Sequence, residues 1–249
     1  MGIFFELHHD IPREGPGDNA STRKAWSLLN GLPEEPRILD IGCGPGMQTL
    51  ELARNSAGSI LAVDTHQPFL DELARRAASE SVGGKIATLN KSMFELDLEP
   101  GFFDVLWSEG AIYNIGFERG LKEWRKFLKS GGSIVVSEAS WFTDERPEEI
   151  EAFWKNAYPE IDTIPNKIGQ LQKAGYIPMA AFILPENCWT KHFYAPQAKA
   201  QEVFLNKYAG NKTAEEFISN QRHEERLYYN YKEYYGYVFY IGRKKQHSP

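Results

Sequence analysis

The chain is poor in cysteine, has no long apolar run and carries no excess of positive charge. Cys43 and Cys188 are the only cysteines among 249 residues. Two thiols cannot build a disulfide framework or a four-thiolate metal site, so no metal is expected and a reducing compartment is. No apolar stretch reaches the roughly eighteen residues that a membrane helix needs. The opening "MGIFFELHHD" lacks a basic region followed by a long apolar run, so no secretory signal is read and the expected compartment is the cytoplasm. The formal charge of -6 argues against a large nucleic-acid footprint, which would need clustered Lys and Arg. The closing "GRKKQHSP" reads as a frayed, solvated tail.

With 42% hydrophobic residues, the chain can bury a full core as a single domain over residues 1–249. Short apolar runs alternate with amphipathic stretches of helical length. "RILDIG" (37–42), "SILAVD" (59–64), "GKIATLN", "FFDVLWSEG" and "SIVVSEAS" read as strands. "MQTLELARNS", "PFLDELARRAASES" and "GLKEWRKFLKSGG" read as helices between them, the last closed by its glycines. Strand, helix, strand at this spacing implies right-handed crossovers and a doubly wound α/β sheet of seven mostly parallel strands. Beyond residue 140, Thr143 or Asp144 is the expected cap of a helix carrying Ile150, Phe153, Trp154 and Tyr158 as packing residues. The strands "IPMAAFILP" and "YGYVFYIGRK" are separated by residues 186–235, mostly helical in pattern. A hairpin needs only a few residues there, so this insertion is expected to be a lid or a homodimer contact.

The chemistry concentrates in "ILDIGCGPGMQTLELA". A glycine-rich turn between a strand and a helix lets a ligand approach backbone N–H groups. The dinucleotide pattern G-x-G-x-x-G does not fit, because Met47 stands where its third glycine belongs. Nor does the loop end in the G-K-[ST] of a phosphate loop. Asp40, at the strand's end, would repel a pyrophosphate but attract an ammonium group. The loop therefore suits an amino acid attached to a nucleoside.

Asp40, Gly42, Gly44 and Gly46 resemble the first motif of the class I S-adenosylmethionine-dependent methyltransferases over roughly residues 30–140. The resemblance implies a Rossmann-like fold, S-adenosylmethionine as cofactor and S-adenosylhomocysteine as product. It places Cys43 in the cofactor loop, Asp64 and Thr65 at the ribose, Ser92 and Met93 along the adenine, and Ser108 to Ala111, Glu109 included, near the sulfonium. "DIPREGPGDNASTRKAW" resembles the opening of one subgroup, with residues 1–30 capping the cofactor and Arg13 pairing its methionine carboxylate; a plain Pro/Gly turn before a capped helix is the other reading. The implied reaction moves a methyl group to an O, N or C nucleophile of a small organic molecule. Glu109, Tyr113 and Glu138 could take the acceptor's proton or serve as scaffold. Trp189, His192, Phe193 and Tyr194 of the insertion could wall an acceptor pocket, with His192 as a further catalytic group, or could be core. A silent S-adenosylmethionine-binding regulator and a nicotinamide-dependent dehydrogenase are the alternative functions.

Overall fold

A computed structural model describes Leu7 and residues 11–245; the tail after Lys245 and the rest of the first ten residues lie outside it. Strand β1 (Arg37–Ile41) is buried at all but its first residue, and β2 (Ser59–Asp64), β3 (Ile86–Asn90), β4 (Phe103–Glu109) and β5 (Leu128–Trp141) complete a parallel set. Their continuous Ile, Leu and Val runs suit strands covered by helices on both faces. Beyond them come β6 (Asp162–Thr163), a two-residue pair beside β5, then β7 (Tyr176–Ile183) and β8 (Tyr235–Lys244). β8 runs antiparallel between β5 and β7, giving the order β3-β2-β1-β4-β5-β8-β7. The seven expected strands are present, and β6 adds an eighth.

Helix α1 (Asn19–Ser27) is capped by Asp18, whose side chain accepts from Ser21 N at 2.7 Å. α2 (Met47–Asn55) follows β1, α3 (Gln67–Ser79) follows β2, and α4 (Phe117–Trp124) joins β4 to β5. α5 (Glu148–Ala157) and α6 (Ile164–Lys173) precede β7. The insertion before β8 is helical as expected. α7 (Asn187–Trp189) passes through a π-helical turn, Thr190–Tyr194, into α8 (Ala195–Lys207), and α9 (Lys212–Tyr231) returns the chain to the sheet.

Strand side chains alternate between faces, and the core divides accordingly. Ile38, Val105, Trp107, Val135 and Phe239 join one buried cluster, while Leu39, Leu106, Ile134, Val136 and Tyr240 join the other. Ile150, Trp154 and Tyr158 pack into the first, as their spacing predicted, with Phe153 against it.

Two local expectations fail for physical reasons. The helix read over "GLKEWRKFLKSGG" stops at Trp124, passes through a 3-10 turn and becomes β5 at Leu128. Its glycines lie in a bulge, where Gly131 has φ 76° and a methyl group on Gly132 would sit 3.0 Å from Asp104 O; they admit a close approach inside the sheet instead of capping a helix. Likewise α5 starts from Pro147, not Thr143 or Asp144, because a proline keeps the residue before it out of the helical region.

Candidate functional site

The glycine loop leaves β1 at Gly42, whose N–H and that of Cys43 both donate to Val63 O, at 2.8 and 3.0 Å. Gly42 has φ 73°, and a Cβ there would lie 2.4 Å from Ala111 Cβ. Only glycine lets the chain pass beneath the end of β4 in that conformation. Gly44 N donates to Asp64 Oδ2 at 2.9 Å, and His66 N to Asp64 Oδ1 at 2.9 Å. Asp64 thus holds the loop and the start of α3 while each oxygen keeps a free lone pair. Gly46 begins α2 with φ 84°, and a Cβ there would meet Leu73 Cδ1 at 2.3 Å. Its role is to seat the loop on α3.

These strand ends open on a cavity of about 390 Å³. Of the residues singled out in the sequence, Arg13, Gly42, Cys43, Gly44, Asp64, Thr65, Ser92, Met93, Glu109 and Tyr113 line it. Asp40, Gly46, Ser108, Glu138 and His192 are not in its wall. Asp40 is fully buried behind the loop, where Oδ2 accepts from Thr49 Oγ1 at 2.6 Å and Gln48 Nε2 at 3.5 Å; Oδ1 has no partner. Burial pushes its carboxyl up to about 7, with Glu109 and Asp64 adding to the shift against Thr49 and Gln48. Alternation along β1 explains the position: Asp40 shares the face of Ile38, toward α2. Ser108, also fully buried, donates to Ile41 O at 2.8 Å and ties β4 to β1.

The segment before α1 closes one side of the cavity with Pro12, Arg13, Glu14, Gly15 and Pro16. Arg13 Nη1 pairs with Glu109 Oε2 at 3.4 Å and Nη2 donates to Asn19 Oδ1 at 2.8 Å. The guanidinium read as a partner for a ligand carboxylate is therefore engaged within the protein. Glu109 Oε1 also accepts from Thr22 Oγ1 at 2.8 Å and Trp107 Nε1 at 2.9 Å. Burial raises the Glu109 carboxyl, opposed by Arg13, Thr22 and Trp107. Its bonds make it the anchor of the N-terminal segment.

Tyr113 keeps 44% of its surface exposed, and its ring meets that of Tyr158 edge-on at 5.9 Å between centroids. Burial, with the charges of Glu138, Glu224 and Glu14, raises its phenol, so it holds its proton. Glu138 lies deeper in β5, 1% exposed, with neither oxygen hydrogen-bonded. Burial pushes it up to about 7, opposed by the charge of Lys167, the Tyr158 hydroxyl and the Ala139 N–H. Lys167 Nζ instead donates to Glu160 O at 2.9 Å. His192 sits in the π-helical turn and acts electrostatically on Asp18.

Sequence reasoning missed Glu14, Gln48, Phe69, Lys91, Phe94 and Asn114, all in the cavity wall. Glu14 and Gln48 lie inside stretches already marked as ligand-facing. Phe69 read as one more apolar position of α3, and Phe94 gave no signal beyond following Met93.

Residues 38–132 match the family described as a methyltransferase domain. This segment holds every cavity-lining residue except Pro12 to Pro16. The sterol 24-C-methyltransferase of Clavispora lusitaniae is 28% identical over 129 residues, 51% of this chain and 34% of that protein. The sarcosine/dimethylglycine N-methyltransferase of Aphanothece halophytica is 27% identical over 152 residues, 58% of this chain and 54% of its own length. This chain thus spans about a third of the one and about half of the other. An S-adenosylmethionine-dependent methyltransferase from Geobacter sulfurreducens, crystallised with S-adenosyl-L-homocysteine, has the same fold, with a TM-score of 0.83, 19% identity and 98% of both chains covered. The fold is that of the S-adenosylmethionine-dependent methyltransferases of known structure, and residues 38–132 carry a methyltransferase domain.

Proposed function

We propose that this chain is an S-adenosylmethionine-dependent methyltransferase acting on a small organic molecule. The observation that carries the proposal is the cavity at the strand ends, where the open backbone of Gly42 to Gly44 meets an Asp64 carboxylate with lone pairs to spare. Asp64 would accept from the ribose hydroxyls, Ser92, Met93 and Phe94 would border the adenine, and Glu14 and the glycine loop would border the amino-acid end. Gly42 fits this role because a side chain there would fill the approach. The cofactor supplies a methyl group on a sulfonium, which is electrophilic without further activation. The wall carries the acids Glu14, Asp64 and Glu109 against the bases Arg13 and Lys91, a balance that favours a positively charged ligand.

Aligning and desolvating the acceptor supplies much of the rate in such a displacement. Residues 12–16 close one side of the cavity and exclude water there. The insertion packs behind the cavity wall: the Trp189 ring lies 5.3 Å from that of Tyr237, and a methyl group on Gly110 of the wall would sit 3.3 Å from Tyr237 Cε2. Tyr113, protonated, orients the acceptor. Glu138, whose carboxyl burial pushes up to about 7, takes the acceptor's proton. Both cysteines are free and buried, which fits the cytoplasmic location we assign.

Calorimetric titration with S-adenosylmethionine and with S-adenosylhomocysteine tests the proposal. Micromolar binding of both is expected. Binding of neither, or of NADH in their place, would overturn it.

A further inference from the structure

The segment before α1 brings two charged side chains to the cofactor cavity, and they are held differently. Arg13 Nη1 lies 3.4 Å from Glu109 Oε2, and Nη2 donates to Asn19 Oδ1 at 2.8 Å. Its guanidinium is committed to the end of β4 and to α1. A methyl group built on Gly17 would sit 3.2 Å from Arg13 Nη1 and 3.6 Å from Glu109 Oε2, and one built on Gly15 3.9 Å from Tyr237 Cε2. The backbone of residues 13–17 is therefore seated on β4 and β8, and Arg13 fixes the place of the residue that follows it.

That residue is Glu14. It lines the cavity, and both its carboxyl oxygens are buried. Its Cγ lies 3.5 Å from a methyl group built on Gly44, so the side chain hangs over the glycine loop. The strand order β3-β2-β1-β4 tells which end of a ligand it meets. With Asp64 assigned to the ribose at the end of β2, and Ser92 to Phe94 to the adenine after β3, the rest of the cofactor runs the other way. It crosses Gly42 to Gly44 after β1 toward Gly110 at the end of β4, all of them in the wall. Glu14 stands over this span. The other charges of the wall are placed elsewhere: Lys91 follows β3 on the adenine side, Asp64 accepts from Gly44 N and His66 N, and Glu109 is paired with Arg13.

An amino acid attached to a nucleoside presents an ammonium and a carboxylate at this end. A carboxyl group over the loop attracts the first through charge-assisted hydrogen bonds and repels the second. Both effects are stronger away from water, where the segment shields the cavity. We propose that Glu14 recognises the α-ammonium group of the cofactor, so that the segment before α1 reads the amino group of the ligand and not its carboxylate. Glu14 is then a specificity-determining residue, which selects an aminoacyl nucleoside over one that carries only a carboxylate. Arg13, through Glu109 and Asn19, is the positioning residue that presents it. The assignment rests on the methyltransferase reading of the cavity.

Calorimetry with S-adenosylhomocysteine, and with its analogue that lacks only the amino group, tests the assignment on the whole protein. The wild type should bind S-adenosylhomocysteine at least tenfold more tightly than the deaminated analogue. In Glu14→Gln the affinity for S-adenosylhomocysteine should fall tenfold or more while that for the analogue stays within about twofold, so that the preference disappears. Retained binding of the analogue also shows that the variant is folded. Glu14→Asp provides a second test: with the charge kept on a shorter arm, it should lose part of the same preference and none of its affinity for the analogue. Equal affinity of the wild type for the two ligands, or an equal loss for both in Glu14→Gln, would overturn the assignment and leave the cofactor reading intact. Undiminished binding of S-adenosylhomocysteine by Glu14→Gln would do the same. Failure of the wild type to bind S-adenosylhomocysteine would instead overturn the cofactor reading.

Discussion

Glu138→Gln should stabilise the folded protein in alkaline solution and do little in acid. Glu138 is 1% exposed with both oxygens unbonded, and burial lifts its carboxyl from an ordinary 4.5 to about 7. Each pKa unit corresponds to about 1.4 kcal/mol, so ionising this group in the folded chain costs about 3 kcal/mol relative to the unfolded one. Because the folded-state pKa is the higher, the favourable contribution of the protonated form is complete below the unfolded pKa and is lost as pH rises through about 7. Glutamine keeps the shape and cannot ionise. Asp40 and Glu224 titrate over the same range but remain in both proteins, so their effects largely cancel in the difference. The attraction of Lys167 is already contained in that net shift, so the expected gain at alkaline pH stays at about 3 kcal/mol. Urea unfolding at about pH 5 and about pH 8.5, with the m-value checked for constancy, reads the difference directly. A loss of stability of the same size at both values would mean that Glu138 is ionised and well satisfied in the folded protein, and the assignment of proton acceptor would fall with it. If the reasoning holds, the variant also methylates slowly while binding S-adenosylhomocysteine normally.

Gly42→Ala forces a side chain into the left-handed region and against Ala111; about 1–2 kcal/mol of backbone cost and about 1–3 kcal/mol of overpacking should lower the unfolding midpoint and abolish cofactor binding, and a variant that binds normally would refute the close approach. Asp64→Ala removes both loop bonds and the ribose acceptor, so calorimetry should show S-adenosylhomocysteine weakened by about 2–4 kcal/mol. Unchanged affinity would leave Asp64 as a loop brace alone. Glu109→Gln leaves the Arg13 guanidinium buried beside a neutral group, with Asn19 as its remaining partner; stability should fall by about 3 kcal/mol and cofactor affinity should fall with it. Intact affinity together with slow turnover would instead make Glu109 a base.

Much of the cofactor half could be read in advance because its signals are local. "SILAVD" became β2 without a shift of boundary, and the glycines announced a loop that only they can adopt. Asp40 was placed correctly along the chain but not in its role. Its strand parity with Ile38 turns the carboxyl toward Thr49 and Gln48, and alternation alone could have revealed this. Glu109 could not have been read as an anchor in the same way, because its partners Arg13 and Thr22 come from a distant segment of the chain. The boundaries that failed, at Pro147 and at the Gly131 bulge, were decided by one local rule overriding another and by strand pairing with β4.

Asp40 and Glu138 keep unpartnered buried oxygens on the central strands. Helix surfaces carry ordinary paired charges, such as Arg119 with Glu123 and Lys122 with Glu118 on α4. The left-handed Gly42 and Gly46, by contrast, lie at the C-terminal end of β1, with the orphaned oxygen of Asp40 just before them and those of Glu138 in the second half of β5. A chain selected for stability alone would replace the buried Glu138 with an uncharged residue of similar size. Local rules are broken at sites where function requires it. Here each breach favours a ligand with an open approach to the backbone at one end and a positive charge at the other. S-adenosylmethionine, with its amino-acid end and its sulfonium, would present both.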